Sequence, residues 1–350
     1  MSGTDNTHNI FSTRPNLVAI TMGCPVGIGP EIILSYLAKK KFPANYLPLV
    51  VGDIGVLQRC ARELRINIEI TAWKPGNPVD SARIHVVEPK RGAGYALQPA
   101  SLNWGQPGRE TGHAAVAYIR EAVRLIKTGE LDALVTCPIA KHAIQLAGYE
   151  FPGHTEMLAS LCDTRDFGMM MAGRRLKVSL VTIHLPIAKV AEALNQEVVR
   201  RIIKLTAETL IRDFGMVRPR IAVAGLNPHG GESGLFGQEE RSIIEPAVAG
   251  VTSEKWELAG PLPPDTVFKM ALDNRYDAVV AMYHDQGLIP FKIVHFKDGV
   301  NLTMGLPIIR TSVDHGTAYD IAGKGIASDS SLKAAFQLAT EIVGHRKISK

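Results

Sequence analysis

Residues 17–31 read LVAITMGCPVGIGPE, an apolar run followed by a glycine-rich turn and then by a proline. The run is typical of a buried strand, and Gly27 and Gly29 permit a tight turn directly after it. Pro30 suits the first turn of a helix, because its fixed φ angle is already helical. The stretch therefore predicts a strand, a turn and a helix, which is the repeating unit of an α/β fold.

Compact apolar runs recur along the chain, as expected of strands buried in a parallel sheet. They cover residues 17–22, 47–52, 132–137, 176–183, 220–225 and 277–283. Between them, apolar residues at three-to-four spacing predict helices over 112–130 and 196–215. The alternation of strands and helices predicts an α/β fold with a parallel sheet. The sequence shows no internal repeat and no obvious linker between domains.

The composition excludes several classes of protein. The chain is 46% hydrophobic and 21% charged, which is typical of a soluble globular protein. Its length of 350 residues favours two domains. The net charge of +5 is spread along the chain, so it favours an anionic small substrate over nucleic acid. No apolar run reaches the ~20 residues that span a membrane. Residues 1–14 are polar and predict a disordered tail, and the four cysteines, without a C-x-x-C pair, favour a cytoplasmic protein.

Three of the predicted strands end in or just before a histidine. His184 follows the strand at 176–183, His229 follows the one at 220–225, and His284 follows the one at 277–283. Because parallel strands present their carboxyl ends at one edge, these imidazoles can form a divalent-metal site. Hydrogen-bonded structural histidines are the alternative. Asp285 follows His284 directly, and four roles are open for it: a further metal ligand, a general base, a group that orients an imidazole, or the cap of a turn.

A second group of polar residues suits an anionic substrate. The stretch at 151–159 has the form of a helix start, where His154 and Thr155 either bind a phosphate or carboxylate or cap the helix. Lys292, Asn301 and Arg310 lie in or beside strand-like apolar runs, where a charge needs a partner. They predict anion binding, with structural ion pairs as the alternative.

These motifs together resemble one enzyme family. The segments MYHDQGLIPFK, GLNPHGGESGLFGQEE, GHTE and VNLTMGLPIIRTSVDHGTAYDIAGKGIAS are similar to those of the 4-hydroxythreonine-4-phosphate dehydrogenases, and the similarity runs from about residue 17 to 340. The resemblance implies an isocitrate/isopropylmalate dehydrogenase-like fold, with two α/β/α domains and a cleft between them. We expect one domain over 15–140 plus 300–350 and a second over 141–299.

The resemblance also implies the roles of individual residues in a homodimer whose active site lies at the subunit interface. His184, His229 and His284 would bind a divalent metal (Zn, Mg, Mn or Co), with ligands shared between the two subunits. The substrate would be bound by His154, Thr155, Lys292, Asn301 and Arg310. Asp265 matches the family as well, and the general base stays open among Asp265, Asp285, Lys292 and metal-bound water.

Residues 314–328 are similar to the loop of isopropylmalate dehydrogenases that holds the adenosine part of NAD. His315, Gly316, Thr317 and Ala318 would therefore bind NAD or NADP, with a tight glycine-rich turn as the alternative reading. The turn with Gly27 and Gly29 would bring its backbone close to the same cofactor; it lacks the third glycine of a dinucleotide fingerprint. Cys24 stands where the family carries an acidic residue.

The resemblance implies oxidation of the C3 hydroxyl of a phosphorylated hydroxy acid, giving a β-keto acid that loses CO₂. We expect 4-hydroxythreonine 4-phosphate as the substrate, in the biosynthesis of pyridoxal phosphate. A branch that oxidises D-threonate or D-erythronate 4-phosphate is the alternative within the family, and GHTE with Arg310 argues against a branch that oxidises a terephthalate-derived dihydrodiol. A phosphate acyltransferase-like enzyme and a non-catalytic binding protein are alternatives of other classes.

Overall fold

The computed structural model of the protein describes residues 14–39, 42–90 and 97–348. Residues 1–13 of the predicted tail lie outside the described residues. Arg14 donates a hydrogen bond to the Gly129 carbonyl oxygen at 2.7 Å.

The described residues contain one sheet of twelve strands. The strands are β1 Asn16–Thr21, β2 Tyr46–Val51, β3 Ile70–Ala72, β4 Ile84–Val87, β5 Ala133–Thr136, β6 Gly168–Ala172, β7 Lys177–Leu180, β8 Arg220–Ala224, β9 Glu257–Leu262, β10 Ala278–Ala281, β11 Val300–Met304 and β12 Arg310–Val313. Their order across the sheet is β3-β4-β2-β1-β5-β12-β11-β6-β7-β10-β8-β9. All six strands expected from the apolar runs are present.

Helices cover the sheet. They are α1 Gly29–Ala38, α2 Ile54–Glu63, α3 Arg109–Lys127, α4 Lys141–Leu146, α5 His154–Leu161, α6 Val190–Ala193, α7 Gln196–Arg212, α8 Glu245–Ala249, α9 Pro264–Leu272, α10 His284–His295 and α11 Ser330–Ile348. The two expected helices correspond to α3 and α7, and Pro30 lies in the first turn of α1. Within the described ranges, every helix is too short or too polar to cross a membrane.

The sheet changes strand direction at its centre. β12 runs parallel to β5, whereas β11 is antiparallel to both β12 and β6, and β6 is antiparallel to β7. β7, β10, β8 and β9 then run parallel to one another, opposite to β1, β2, β5 and β12. The sheet is therefore mixed, because three antiparallel pairings join two parallel blocks that point in opposite directions.

The strand order bears on the expected domains. The strands of residues 141–299, β6 to β10, are contiguous at one side of the sheet, and the strands of the remaining residues are contiguous at the other. Hydrogen bonds between β11 and β6 connect the two groups into one sheet. The division into two domains stays a prediction.

The ends of α7 and α11 are joined by a buried carboxylate. Asp213, 1% exposed at its side chain, accepts hydrogen bonds from Arg212 at 2.8 Å and from Arg346 of α11 at 2.7 Å. Burial raises the pKa of the Asp213 carboxyl, but the two arginines outweigh burial and hold that pKa below its ordinary value. Loss of the charge would leave both guanidinium groups without their carboxylate partner.

We therefore expect Asp213→Asn to lower the free energy of unfolding by about 2–3 kcal/mol at pH 7, since both arginines retain some solvent. Because the pKa of Asp213 is lower in the folded state than in the unfolded state, its ionised carboxylate stabilises the fold fully above about pH 4. This stabilisation is lost as the pH falls through the folded-state pKa. The difference between wild type and variant in urea unfolding should shrink accordingly below pH 4. Asp273→Asn, which removes an exposed Lys269 pair, is the control and should change stability by less than ~1 kcal/mol. Equal losses for both variants would contradict the assignment.

Candidate active site

A cavity of about 560 Å³ lies against the central strands β5, β11 and β12 and between α5 and α10. Many of the residues singled out from the sequence line it: His154, Thr155, His184, His284, Asp285, Lys292, Asn301, Arg310, His315 and Gly316. The others are not among its lining residues: Gly27, Gly29, His229, Asp265, Thr317 and Ala318. The fold thus brings the predicted substrate residues together with two of the three predicted metal ligands.

Arg310 places a buried positive charge in the lining of the cavity. This first residue of β12 is 2% exposed, and its guanidinium donates to the hydroxyls of Thr136 at 2.8 Å and Thr303 at 3.0 Å. Among the described residues no carboxylate forms a salt bridge with it, and burial lowers the pKa of Arg310 to about 9 against the opposing effect of Glu156. A buried cation with only neutral partners favours an anion in the adjacent space.

His154 opens α5 beside this arginine. Gly153 is the N-cap of that helix and no side chain caps it, so Thr155 does not take the capping role that the sequence left open. Burial, together with the charge of Arg310, holds the pKa of His154 well below its ordinary value, and its Nε2 atom is buried without a hydrogen-bond partner among the described residues. Asn301 Oδ1 is likewise buried without such a partner. Neutral His154 and Asn301 are available to a polar ligand.

Lys292 lies on helix α10, not on the strand-like segment expected from the sequence. Its Nζ is 3.4 Å from the Asp314 carboxylate, which follows β12 and also lines the cavity. Burial raises the pKa of Asp314 above its ordinary value in spite of Lys292. The sequence reasoning missed Asp314, although an acidic residue directly between a strand end and His315 was a usable signal.

His184 and His284 lie next to each other in the lining of the cavity, with their ring centroids 5.8 Å apart. Burial lowers the pKa of His184, which keeps its imidazole neutral and able to bind a metal. His284 Nδ1 is 2.7 Å from the Asp285 carboxylate, an arrangement that orients an imidazole. The pair therefore has the chemistry of two metal ligands.

His229 lies apart from that pair. It is 63% exposed on a loop where residues 229–233 all have positive φ angles, and its Nδ1 is 4.0 Å from Asp265. Glu240 fixes the start of this loop by accepting hydrogen bonds from the backbone of Leu226 and Asn227, both at 2.7 Å. Across the described part of the chain, no group of three or more His, Cys, Asp or Glu side chains is arranged to hold a metal. The chain brings two of the three predicted imidazoles together and leaves the third exposed.

The glycine turn at residues 22–31 packs against the loop at residues 315–327, here called the cofactor loop. The Ile28 N–H donates to the Thr317 carbonyl at 3.1 Å, and a Cβ on Gly27 would lie 3.1 Å from the same oxygen. His315 Nε2 is buried without a described partner, and a Cβ on Gly316 would meet open space. His315 Nδ1 is 3.1 Å from the Gly316 carbonyl oxygen, so only one ring nitrogen is unused. The loop thus offers one imidazole nitrogen and an uncrowded backbone beside the cavity, which is compatible with a bound nucleotide.

Cys24 lies inside the glycine turn and is 1% exposed. The Tyr319 hydroxyl donates to its Sγ at 3.4 Å, and burial raises the pKa of the thiol. The residue is therefore neutral and belongs to the contact between turn and loop.

Comparison with known proteins identifies one family. Residues 44–339 match the family described as pyridoxal phosphate biosynthetic protein PdxA. The chain is 50% identical to a 4-hydroxythreonine-4-phosphate dehydrogenase of Desulforapulum autotrophicum, over 96% of this chain and 99% of that protein. It is 43% identical to a D-threonate 4-phosphate dehydrogenase of Salmonella typhimurium, over 93% and 98%.

The fold agrees as well. A crystal structure of a 4-hydroxythreonine-4-phosphate dehydrogenase from Klebsiella pneumoniae superposes with a TM-score of 0.85 at 41% identity, covering 95% of this chain and 99% of that one. The expected α/β fold class and the resemblance are thereby confirmed. The chain belongs to the PdxA family of pyridoxal phosphate biosynthetic proteins, whose relatives named here are dehydrogenases.

Proposed function

We propose that the protein oxidises the C3 hydroxyl of a phosphorylated hydroxy acid, with 4-hydroxythreonine 4-phosphate as the substrate. One observation carries the proposal: the buried guanidinium of Arg310 has only hydroxyl partners and lies in the cavity that also contains His184 and His284. Neutral His154 and Asn301 beside it have unused polar atoms. A dianionic phosphate or a carboxylate would pair with Arg310 and accept a hydrogen bond from His154 in the tautomer that carries its proton on Nε2. Asn301 Oδ1 is an acceptor, so it would take its hydrogen bond from a hydroxyl or ammonium group of the substrate.

D-threonate 4-phosphate is the second candidate substrate. It is supported by the 43% identity to the Salmonella enzyme of that name, at nearly full coverage of both chains. It carries the same phosphate and a neighbouring hydroxyl, so the same cavity residues serve for both.

In the proposed reaction the residues of this chain bind and orient the substrate and accept a proton from it. A divalent cation, when bound, supplies Lewis-acid assistance to ionisation of the hydroxyl, and NAD or NADP supplies the hydride acceptor. Arg310, His154 and Thr155 anchor the anionic group and hold C3 near the imidazole pair. The hydroxyl proton passes to a base in the cavity. Lys292 and Asp285 line the cavity and are the candidates for this base, whereas Asp265 does not line it. The β-keto acid then releases CO₂.

We further propose that two copies share each site. His229 and Asp265 are exposed and separate from the His184–His284 pair, so one chain does not bring the three imidazoles together. On this proposal His229 of one subunit completes the site of the other, in a homodimer.

Replacement of Arg310 tests the anion site. Arg310→Met should raise KM for the phosphorylated substrate at least ~100-fold, because the charge-assisted contacts are worth about 3 kcal/mol, while KM for the cofactor stays within about twofold. The same variant should raise the melting temperature of the ligand-free protein, because it removes a buried cation that has no carboxylate partner. Steady-state kinetics and calorimetry check both effects. Arg220→Met, which breaks the Asp277 pair away from the cavity, is the control and should leave both KM values unchanged. An unchanged substrate KM in Arg310→Met would exclude the site.

Subunit mixing tests the shared metal site. His229→Ala and His284→Ala should each be inactive alone and bind less divalent metal. Refolded together in equal amounts, they should recover about a quarter of wild-type activity, because half of the dimers are hybrids with one intact site. His184→Ala mixed with His284→Ala should recover none, since the two residues belong to the same half of a site. Recovery in the second mixture and not in the first would contradict sharing.

A further inference from the structure

We propose that Glu31 is the positioning residue for the cofactor loop, holding residues 323–327 so that His315 and Gly316 face the cavity. The inference rests on the proposed role of that loop in binding NAD or NADP. It concerns a residue outside the cavity and assigns it an effect on cofactor affinity.

Glu31 lies in the first turn of α1 and is 2% exposed. Its Oε2 accepts the Gly323 N–H at 2.9 Å, and its Oε1 accepts the Ala327 N–H at 2.8 Å. No lysine or arginine forms a salt bridge with it in the described ranges. Both oxygens of a buried carboxylate are thus committed to the backbone of one loop, and such charge-assisted bonds are about twice as strong as neutral ones.

The cofactor loop depends on such contacts because it has no helix or strand between β12 and α11. Its first part is held by the Ile28 N–H and by Cys24, and its last part is held by Glu31. All three residues belong to one short stretch, the glycine turn at residues 22–31, which runs into the first turn of α1. The stretch therefore holds the loop from Thr317 to Ala327. Gly316 directly precedes the held Thr317 and lines the cavity.

A purely structural role for Glu31 predicts a loss of stability and nothing else. A positioning role predicts that cofactor affinity falls while affinity for the phosphorylated substrate does not. Asp53 provides a matched control, because it is also a buried carboxylate at the start of a helix. It is 5% exposed and accepts the Val56 N–H at 2.9 Å, without a hydrogen bond to the cofactor loop.

The experiment compares full-length wild type with Glu31→Gln, Glu31→Asp, Asp53→Asn and His315→Ala. Titration calorimetry measures the Kd for NAD and NADP, and hydrogen–deuterium exchange measures protection of the amides at 319–327. Glu31→Gln should raise the cofactor Kd about tenfold and speed exchange at Gly323 and Ala327, because an amide donor replaces one acceptor. Asp53→Asn should change neither quantity, and kcat in Glu31→Gln should change far less than KM for the cofactor.

Glu31→Asp keeps the charge but shortens the reach, so it gives the same direction of change if Glu31→Gln fails to fold. Faster exchange with an unchanged cofactor Kd overturns the inference, as does an equal rise in Kd for Asp53→Asn. His315→Ala separates the two proposals: a higher Kd there with no change in the Glu31 variants overturns only the positioning role. An unchanged Kd in every variant overturns the cofactor role of the loop as well.

Discussion

Three antiparallel pairings at the centre of the sheet set the position of nearly every candidate site residue. Because β11 is antiparallel to β12 and β6, and β6 to β7, the two parallel blocks point in opposite directions. The register then brings the carboxyl end of β7, which precedes His184, level with the start of β12, where Arg310 lies. A sheet with a single direction would have put these two residues at opposite edges. The cavity therefore joins the buried guanidinium at the start of β12 to a pair of imidazoles that follow the ends of β7 and β10.

Several polar groups of the cavity lack a matching partner within the described residues. Arg310 has hydroxyl partners and no carboxylate, while His154, Asn301 and His315 each have a buried polar atom without a described partner. A buried unsatisfied polar atom costs free energy in the ligand-free fold. Such a cluster in one cavity is expected of a site whose missing partners are supplied by substrate and cofactor.

Two segments near the candidate site are held in place by contacts with buried residues. The glycine turn and the start of α1 hold the cofactor loop through Ile28, Cys24 and Glu31. The loop at 229–233, with five successive positive φ angles, presents His229 outward, and Glu240 fixes its start. In both arrangements a short segment is held by hydrogen bonds between its backbone and buried side chains such as Glu31 and Glu240. The geometry of the site therefore depends on residues that lie outside the segment itself.

Much of this followed from local sequence. The apolar runs and the three-to-four spacing gave the strands and the long helices, because buried strands and amphipathic helices have distinct periods. The motifs gave the family, since they extend over most of the chain. Other features were not anticipated: Lys292 lies on a helix, Gly153 rather than Thr155 is the N-cap of α5, and Asp314 and Glu31 were not identified. Asp314 and Glu31 matter through contacts with residues far away along the chain, which a local pattern does not reveal.

The amino-acid sequence alone determined the α/β class, the PdxA family and a set of candidate polar residues, because these are properties of local pattern and motif. Only the tertiary structure decided which of those residues meet. Strand direction is set by pairing between distant segments, and it placed Arg310 with His184 and His284 while leaving His229 exposed. The same pairing brought the start of α1 against the cofactor loop, where Glu31 accepts hydrogen bonds from residues nearly 300 positions away.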